Sequence, residues 1–253
     1  MEMTANLRKM VVSLDMAKHR RQTGLFKAEG TKCVVDTLGS FDLKYLICLD
    51  EWWKSHEKLH CVGIDPIIVK RMDMERMSTL STPSPVIAVY EIPERSINET
   101  DLSEKLVIAL DTVQDPGNLG TIVRAADWFG VTDLICSHET ADIYNPKSVM
   151  ATMGAISRVN VHYCDLSEIL PKIDSTIYGT FLDGESIYDT ELSHKGVIVM
   201  GNEGRGISDS LASSIDKRIL IPSYPADRVT SESLNVGVAT AIVLSEFRRR
   251  TYI

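Results

Sequence analysis

Hydrophobic and polar positions keep an irregular rhythm up to about Ile92 and a regular one from Ser103 onward. Over residues 1–21, Leu7, Met10, Val11, Leu14 and Ala17 recur at helical spacing, which predicts an amphipathic helix. Arg8, Lys9, Lys18, His19, Arg20 and Arg21 load its other face and its end, either as a solvated cationic face or as a phosphate-contacting patch. Leu25-Phe26 then leads to Gly30, TKCVVDTLGS reads as helix, LKYLICL as a buried strand, and EWWKSHEKLH as helix with Trp52 and Trp53 in the core. Val62–Val69 and Val86–Ile92 are β-branched and apolar, with MDMERMSTL between them as a short helix. Together these make a small α/β unit. The polar stretch from Pro93 to Asp101 is opened by proline, as linkers between compact units usually are. The expected division is therefore 1–92, a linker at 93–102, and a second unit at 103–253.

In that second unit, LVIALDTV, DLICS, RVNVHYC, STIYGTFL, VIVMGNE and KRILIPS alternate with stretches of helical character. Near-continuous Val, Ile and Leu runs are what parallel strands need when both faces are covered, so the pattern predicts an α/β fold with a parallel sheet between helices. Ligands in such sheets bind beyond the carboxyl ends of the strands. From Val236 to Leu244 the chain is apolar or small on every side, which predicts a helix that is buried or packed on a partner chain.

Composition narrows the function classes. With 27 Lys and Arg against 35 Asp and Glu, the net charge of −8 argues against a nonspecific polycationic grip on nucleic acid, though not against a local basic patch. The five cysteines are odd in number and form no C-x-x-C pair, which disfavours a disulfide framework and a structural zinc site, so no metal is expected. No apolar run approaches the roughly 20 residues of a membrane-spanning helix, and no secretory leader is evident, so a cytoplasmic location without membrane attachment is expected.

Three strands run into polar, glycine-bearing loops. After the first, Asp115-Pro116-Gly117-Asn118 opens a helix whose buried side carries Leu119, Ile122, Val123, Ala126 and Phe129, with Asp115 or Asn118 as cap. Arg124 lies beside that face and needs either a structural ion pair or a substrate anion. In the second, VIVMGNEGRGIS, Gly201, Gly204 and Gly206 suit either close backbone approach to a ligand or a plain turn; neither G-x-G-x-x-G nor a P-loop is present. In the third, a long polar loop after Ile221 reaches Ser231-Glu232-Ser233-Leu234-Asn235, whose polar groups can cap the apolar helix or face a ligand. Three such ends in one parallel sheet can share a pocket.

The motifs N-L-G-x-x-x-R, G-N-E-G-x-G and I-P followed by S-L-N-V occur here in that order, and they resemble the signatures of the SpoU, or TrmH-like, RNA 2′-O-ribose methyltransferases of the SPOUT superfamily. GLFKAEGTKCV resembles the opening of the small ribosomal-protein-like RNA-binding domain that often precedes this catalytic domain. The resemblance implies a deep trefoil knot, a homodimer, and S-adenosylmethionine held by backbone around Met200, Gly201, Ile221 and Leu234. It places the family's functional residues on Asn118, Arg124, Glu203, Ser233 and Asn235, and implies ribosomal or transfer RNA as substrate. One departure stands out: ten residues, Ser223–Glu232, replace a shorter glycine-containing loop. Arg248, Arg249 and Arg250 read as a solvated helix end or as RNA contacts.

The chemistry suits these residue types. A ribose hydroxyl is a weak nucleophile, so the protein must align it and help remove its proton. A guanidinium does not readily release its own proton, so Arg124 is expected to bind phosphate and stabilise developing negative charge, with Glu203 and Asn118 orienting it and Ser233 and Asn235 shaping the mouth. The alternatives are a noncatalytic RNA-binding or assembly protein with the same fold, and a base methyltransferase.

Overall fold

The computed structural model describes residues 2–225 and 231–250, without the side chains of Cys61 and Val62. Half of the unusual 223–232 loop, residues 226–230, lies outside the described residues. The chain divides into two compact units, Met1–Glu94 with Asp142–Ser157, and Arg95–Ala141 with Arg158–Ile253.

The first unit contains α1 (Ala5–Ser13), α2 (Ala17–Thr23), β1 (Leu25–Glu29), α3 (Thr31–Thr37), β2 (Leu43–Leu49), α4 (Asp50–Ser55), β3 (Ile67–Val69), α5 (Arg71–Met77) and β4 (Val86–Glu91). Its sheet has the order β1-β4-β2-β3; β4 runs antiparallel to both neighbours and β3 parallel to β2. Ile47, Ile67, Met74, Met77, Ile87 and Val89 form a core against Val11 and Leu14 of the N-terminal segment. Trp52 is buried as expected, and Trp53 is half-buried, stacked on His60 at 4.3 Å.

Several expectations change in this unit. The single helix over 1–21 is two helices, because the chain turns at Leu14–Met16 and Arg20 takes up the carbonyls exposed there. Arg20 donates to Leu14 O at 2.7 Å and Asp15 O at 3.0 Å, and its Nη2 meets Asp142 Oδ2 at 2.6 Å. Only 2 % exposed, it belongs to no solvated cationic face. A buried guanidinium is tolerated when its donors are matched this way. The strand expected over 62–69 is confined to Ile67–Val69, since Glu57–Val62 coils into a 3₁₀ helix that also ends the helical EWWKSHEKLH stretch early. Residues 142–157, which include α8 (Pro146–Ala151), pack with this unit, α8 lying on β1.

The second unit begins with α6 (Glu99–Ser103), whose Leu102 enters the core. Then follow β5 (Leu106–Leu110), α7 (Pro116–Trp128), β6 (Asp133–Cys136), β7 (Asn160–Tyr163), α9 (Leu166–Ile169), β8 (Ile177–Ser186), β9 (Gly196–Met200), α10 (Asp209–Ala212), β10 (Lys217–Leu220) and α11 (Val236–Arg249). All six strands pair in parallel in the order β10-β8-β9-β5-β6-β7. The six apolar runs singled out in the sequence are these six strands. Burial on both faces is why they lack alternation: every residue of β5, β6 and β9 is buried.

The helix α11 is buried along one stripe rather than all round. Val236, Thr240, Val243, Leu244 and Phe247 are buried, whereas Val238 remains 50 % exposed. Each fully covered aliphatic or aromatic side chain contributes about 1.5–3 kcal/mol. Two of its terminal arginines are tied to carbonyls, and Arg249 stays exposed beside Glu246. Arg248 donates to Phe129 O at 2.6 Å and Gly130 O at 3.0 Å, and Arg250 to Thr190 O at 2.6 Å and Tyr188 O at 2.7 Å. Buried Glu246 accepts from Arg249 at 2.8 Å and from Arg250 at 2.9 Å; the Arg249 hydrogen bond, more than burial opposes it, lowers its carboxyl to about 2.

Candidate active site

The carboxyl ends of β5 and β9 carry the first two motif loops, and the approach to α11 carries the third. Asp115 caps α7, accepting from Asn118 N at 2.9 Å, with Pro116 in the first turn where a missing N–H costs nothing. This leaves the Asn118 side chain free to reach across. Its Nδ2 donates to Glu203 Oε1 at 2.8 Å, and its Oδ1 accepts from Asn235 Nδ2 at 2.9 Å. Asn235 in turn caps α11, its Oδ1 accepting from Gly237 N at 3.0 Å and Val238 N at 3.3 Å. Glu203 can only accept and helix amides can only donate, so both amide side chains have one allowed orientation. The result is a directed chain of hydrogen bonds from the positive end of a helix to a carboxylate.

Thus Asn118, Glu203 and Asn235, expected from the motifs to lie together, are joined by hydrogen bonds within one chain. Arg124 does not join them. It is exposed on α7 and forms no hydrogen bond or ion pair among the described residues, so the structural ion pair considered from sequence is not made. At 100° per residue it lies about 120° around α7 from Asn118, on the face of Thr121 and Trp128. Ser233 is exposed and caps nothing.

The glycine loop after β9 is shaped by its own backbone. A Cβ on Gly201 would fall 2.2 Å from Gly206 C, while Gly206 itself sits at φ +72°. Asn202 and Gly206 exchange backbone hydrogen bonds of 3.0 and 2.9 Å, closing a tight loop that projects Glu203. The close approach expected at Gly201 is therefore to the loop itself.

Sequence reasoning missed the support beneath this loop. Thr112, just past β5, has φ +60°, a left-handed conformation that costs a β-branched residue roughly 1–3 kcal/mol. Its N–H donates to Ser137 Oγ at 3.0 Å, its hydroxyl to Asp111 Oδ1 at 3.0 Å, and its carbonyl accepts from Asn202 Nδ2 at 2.8 Å. Buried Asp111 also accepts from Ser208 N at 2.7 Å. The available signal was a polar Asp-Thr pair placed immediately after an apolar strand.

Of the residues expected to hold a nucleoside cofactor, Ile221 and Leu234 offer main-chain amides, whereas Met200 and Gly201 are engaged within the protein. Met200 is buried at the end of β9, and its carbonyl already accepts from Asp111 N at 2.9 Å. Ile221 follows β10 and Leu234 precedes α11; among the described residues the main-chain amides of both are without hydrogen-bond partners. Leu234 also presents a 46 % exposed apolar side chain. Free amides beside apolar surface are the donor set that a purine ring recognises. Among the described residues, no group of His, Cys, Asp or Glu is arranged to hold a metal ion, and no helix is long and apolar enough to cross a membrane.

Comparison with known proteins agrees with this geometry. Residues 7–88 match the MRM3-like substrate binding domain. A curated relative, the 23S rRNA (guanosine(2553)-2′-O)-methyltransferase RlmP of Bacillus subtilis, is 28 % identical over 239 residues, covering 93 % of each chain. A TrmH-family structure from Porphyromonas gingivalis superposes with a TM-score of 0.84 at 35 % identity, over 98 % of this chain and 99 % of that one. The AdoMet-bound rRNA methyltransferase from Sinorhizobium meliloti gives 0.85 at 29 % identity, over 99 % and 98 %. Residues 105–245, which carry all three motif loops, match the SpoU rRNA Methylase family, and the chain belongs to that family.

Proposed function

We propose that this protein transfers a methyl group from S-adenosylmethionine to a ribose 2′-hydroxyl of ribosomal RNA, in the cytoplasm, as a homodimer whose catalytic unit is knotted. The observation that carries this is the Glu203–Asn118–Asn235 chain, which gathers the three motif loops at the carboxyl edge of the sheet. Ribosomal RNA is preferred over transfer RNA because the Bacillus subtilis relative is named for it. The knot is supported by the path of the chain: β10 lies at one edge of the sheet, yet α11 returns to pack on α7, which follows β5 further in.

When bound, S-adenosylmethionine supplies a methyl group already activated by its sulfonium. Ile221 and Leu234 bind through their backbone amides, and buried Met200 excludes water from the strand end. Arg124 has five donors and no partner among the described residues, so it can take a phosphate bidentately and stabilise charge developing on the ribose oxygen. Ser233, exposed at the mouth, can donate to the incoming sugar.

Dimerisation accounts for what one chain leaves apart. Trp128 on α7 is 85 % exposed and Val238 on α11 50 %, and these two helices, which pack together, offer a face to a second chain. Pairing through this face by a two-fold axis carries Arg124 of one protomer toward the Glu203–Asn118–Asn235 chain of the other.

The test is methyl transfer to ribosomal RNA followed by nuclease digestion and nucleoside analysis. A 2′-O-methylnucleoside is expected, with a loss of roughly a hundredfold in Arg124→Ala. Mixing Arg124→Ala with Asn235→Ala chains should restore activity through one intact composite site. A base-methylated product would overturn the reaction, and failure of the mixed chains to recover would overturn the shared site.

A further inference from the structure

We infer that Asn202 is a positioning residue for methyl transfer, acting through the left-handed turn at Thr112 to hold Glu203 and Asn118 in register. This rests on the reaction proposed above. Asn202 uses both ends of its amide at once. Nδ2 donates 2.8 Å to Thr112 O, while Oδ1 accepts from Gly204 N at 3.0 Å and Arg205 N at 3.2 Å. The two segments it joins are those that deliver the site: three residues after Thr112 comes the Asp115 cap that starts α7 and places Asn118, and Glu203 is the next residue after Asn202 itself.

Thr112 makes this junction sensitive to its anchors. A threonine at φ +60° relaxes toward negative φ unless its polar groups are held, and all three are: by Ser137 on the amide, Asp111 on the hydroxyl and Asn202 on the carbonyl. Ser137 and Asp111 sit beside adjoining strands of the sheet, and Asp111 also accepts from Ser208 N at the far end of the glycine loop. Asn202 is the member that ties the Thr112 carbonyl to the part of the loop that carries Glu203. Releasing it frees the Thr112 carbonyl, lets the turn relax, and moves the start of α7 relative to Glu203. The effect on rate is then transmitted through Asn118 and Glu203.

Asn202→Asp isolates the donor. The carboxylate still accepts from Gly204 and Arg205 but faces Thr112 O with another acceptor; once protonated, it can donate again. The Thr112 carbonyl raises its pKa and the Gly204 and Arg205 amides lower it, so the carboxyl regains its proton only on the acid side. At about pH 8 the kcat of the variant is expected to fall roughly ten- to a hundredfold, with KM for RNA within about threefold and thermal unfolding little changed. Relative to wild type, its activity should recover toward about pH 5, which a merely structural defect would not do. Asn202→Ala should lose kcat without that recovery. A crystal structure of Asn202→Asp should show the Asn118–Glu203 hydrogen bond broken.

Wild-type kcat in Asn202→Asp at about pH 8, or a deficit that does not change with pH, overturns the inference. So does an intact Asn118–Glu203 contact in the crystal of the variant. If wild-type protein methylates no RNA, the proposed function fails instead, and the crystal structure still decides the role of Asn202.

Discussion

Asn235 serves α11 and the hydrogen-bonded chain with different atoms, so two substitutions separate the roles. Asn235→Ala removes the acceptor for Gly237 N and Val238 N, worth about 1 kcal/mol for an N-cap, and the bond to Asn118, worth about 0.5–1 kcal/mol at this exposed position. The sum, about 1.5–2 kcal/mol, corresponds to a melting shift of roughly 3–8 °C for a unit of this size. Asn235→Asp keeps the cap and adds a carboxylate at a helix N-terminus, which gains about 0.3–1 kcal/mol. It also sets an acceptor against Asn118 Oδ1. Asn118 cannot turn its amide to compensate without presenting oxygen to Glu203, so one link of the chain must break. Net stability of Asn235→Asp should therefore stay within about 1 kcal/mol of wild type. Single-turnover methyl transfer should fall roughly a hundredfold in both variants. An Asn235→Asp protein with wild-type rate would refute the reasoning, since Asn235 would then be no more than a cap.

Glu246→Gln should destabilise the second unit by about 1–2 kcal/mol at neutral pH, because the hydrogen bond from Arg249 lowers the carboxyl to about 2 and solvent at exposed Arg249 screens the pair. A depressed carboxyl stabilises above its unfolded pKa and loses that contribution as pH falls, so urea titrations of wild type and variant should converge between about pH 5 and pH 2. Gly201→Ala should open the loop after β9, since its Cβ would meet Gly206 C at 2.2 Å; activity should be lost with little change in RNA affinity, measured by filter binding. Asp142→Ala should cost about 3 kcal/mol by calorimetry, leaving Arg20 buried without its counter-charge.

The parallel sheet was legible because its physics is local. A strand covered on both faces must be apolar throughout, and six such runs separated by helical stretches admit few topologies. The meeting of the motif loops followed from the same rule, which places functional loops at the carboxyl ends of parallel strands. What could not be read was the use of individual charges. Arg20 and Arg248 look like cations at helix ends, and a solvated cation and one bound to a carbonyl leave the same mark in the sequence. Their partners, Asp142 and Phe129, lie 122 and 119 residues away. The C-terminal helix was overread for a related reason: small residues such as Ala239 and Ala241 count as apolar in a periodicity but expose little surface when they face outward.

Arg124 shows the limit from the other side. An arginine beside a packed helical face was expected to require a partner, and among the described residues it has none. A long side chain at the edge of a buried stripe can lay its stem along the helix and keep its head in water, so proximity to the core imposes no pairing. The two asparagines carry the opposite lesson. A residue linking an acceptor-only carboxylate to donor-only helix amides must donate at one end and accept at the other, and where two such residues stand in series both must be amides. Aspartate would fail at Glu203 or at Asn118, and serine would be too short to span either gap. The motifs show that asparagine is present at 118 and 235; the fold shows that the direction of each is set by the ends of the chain, Glu203 on one side and the first turn of α11 on the other.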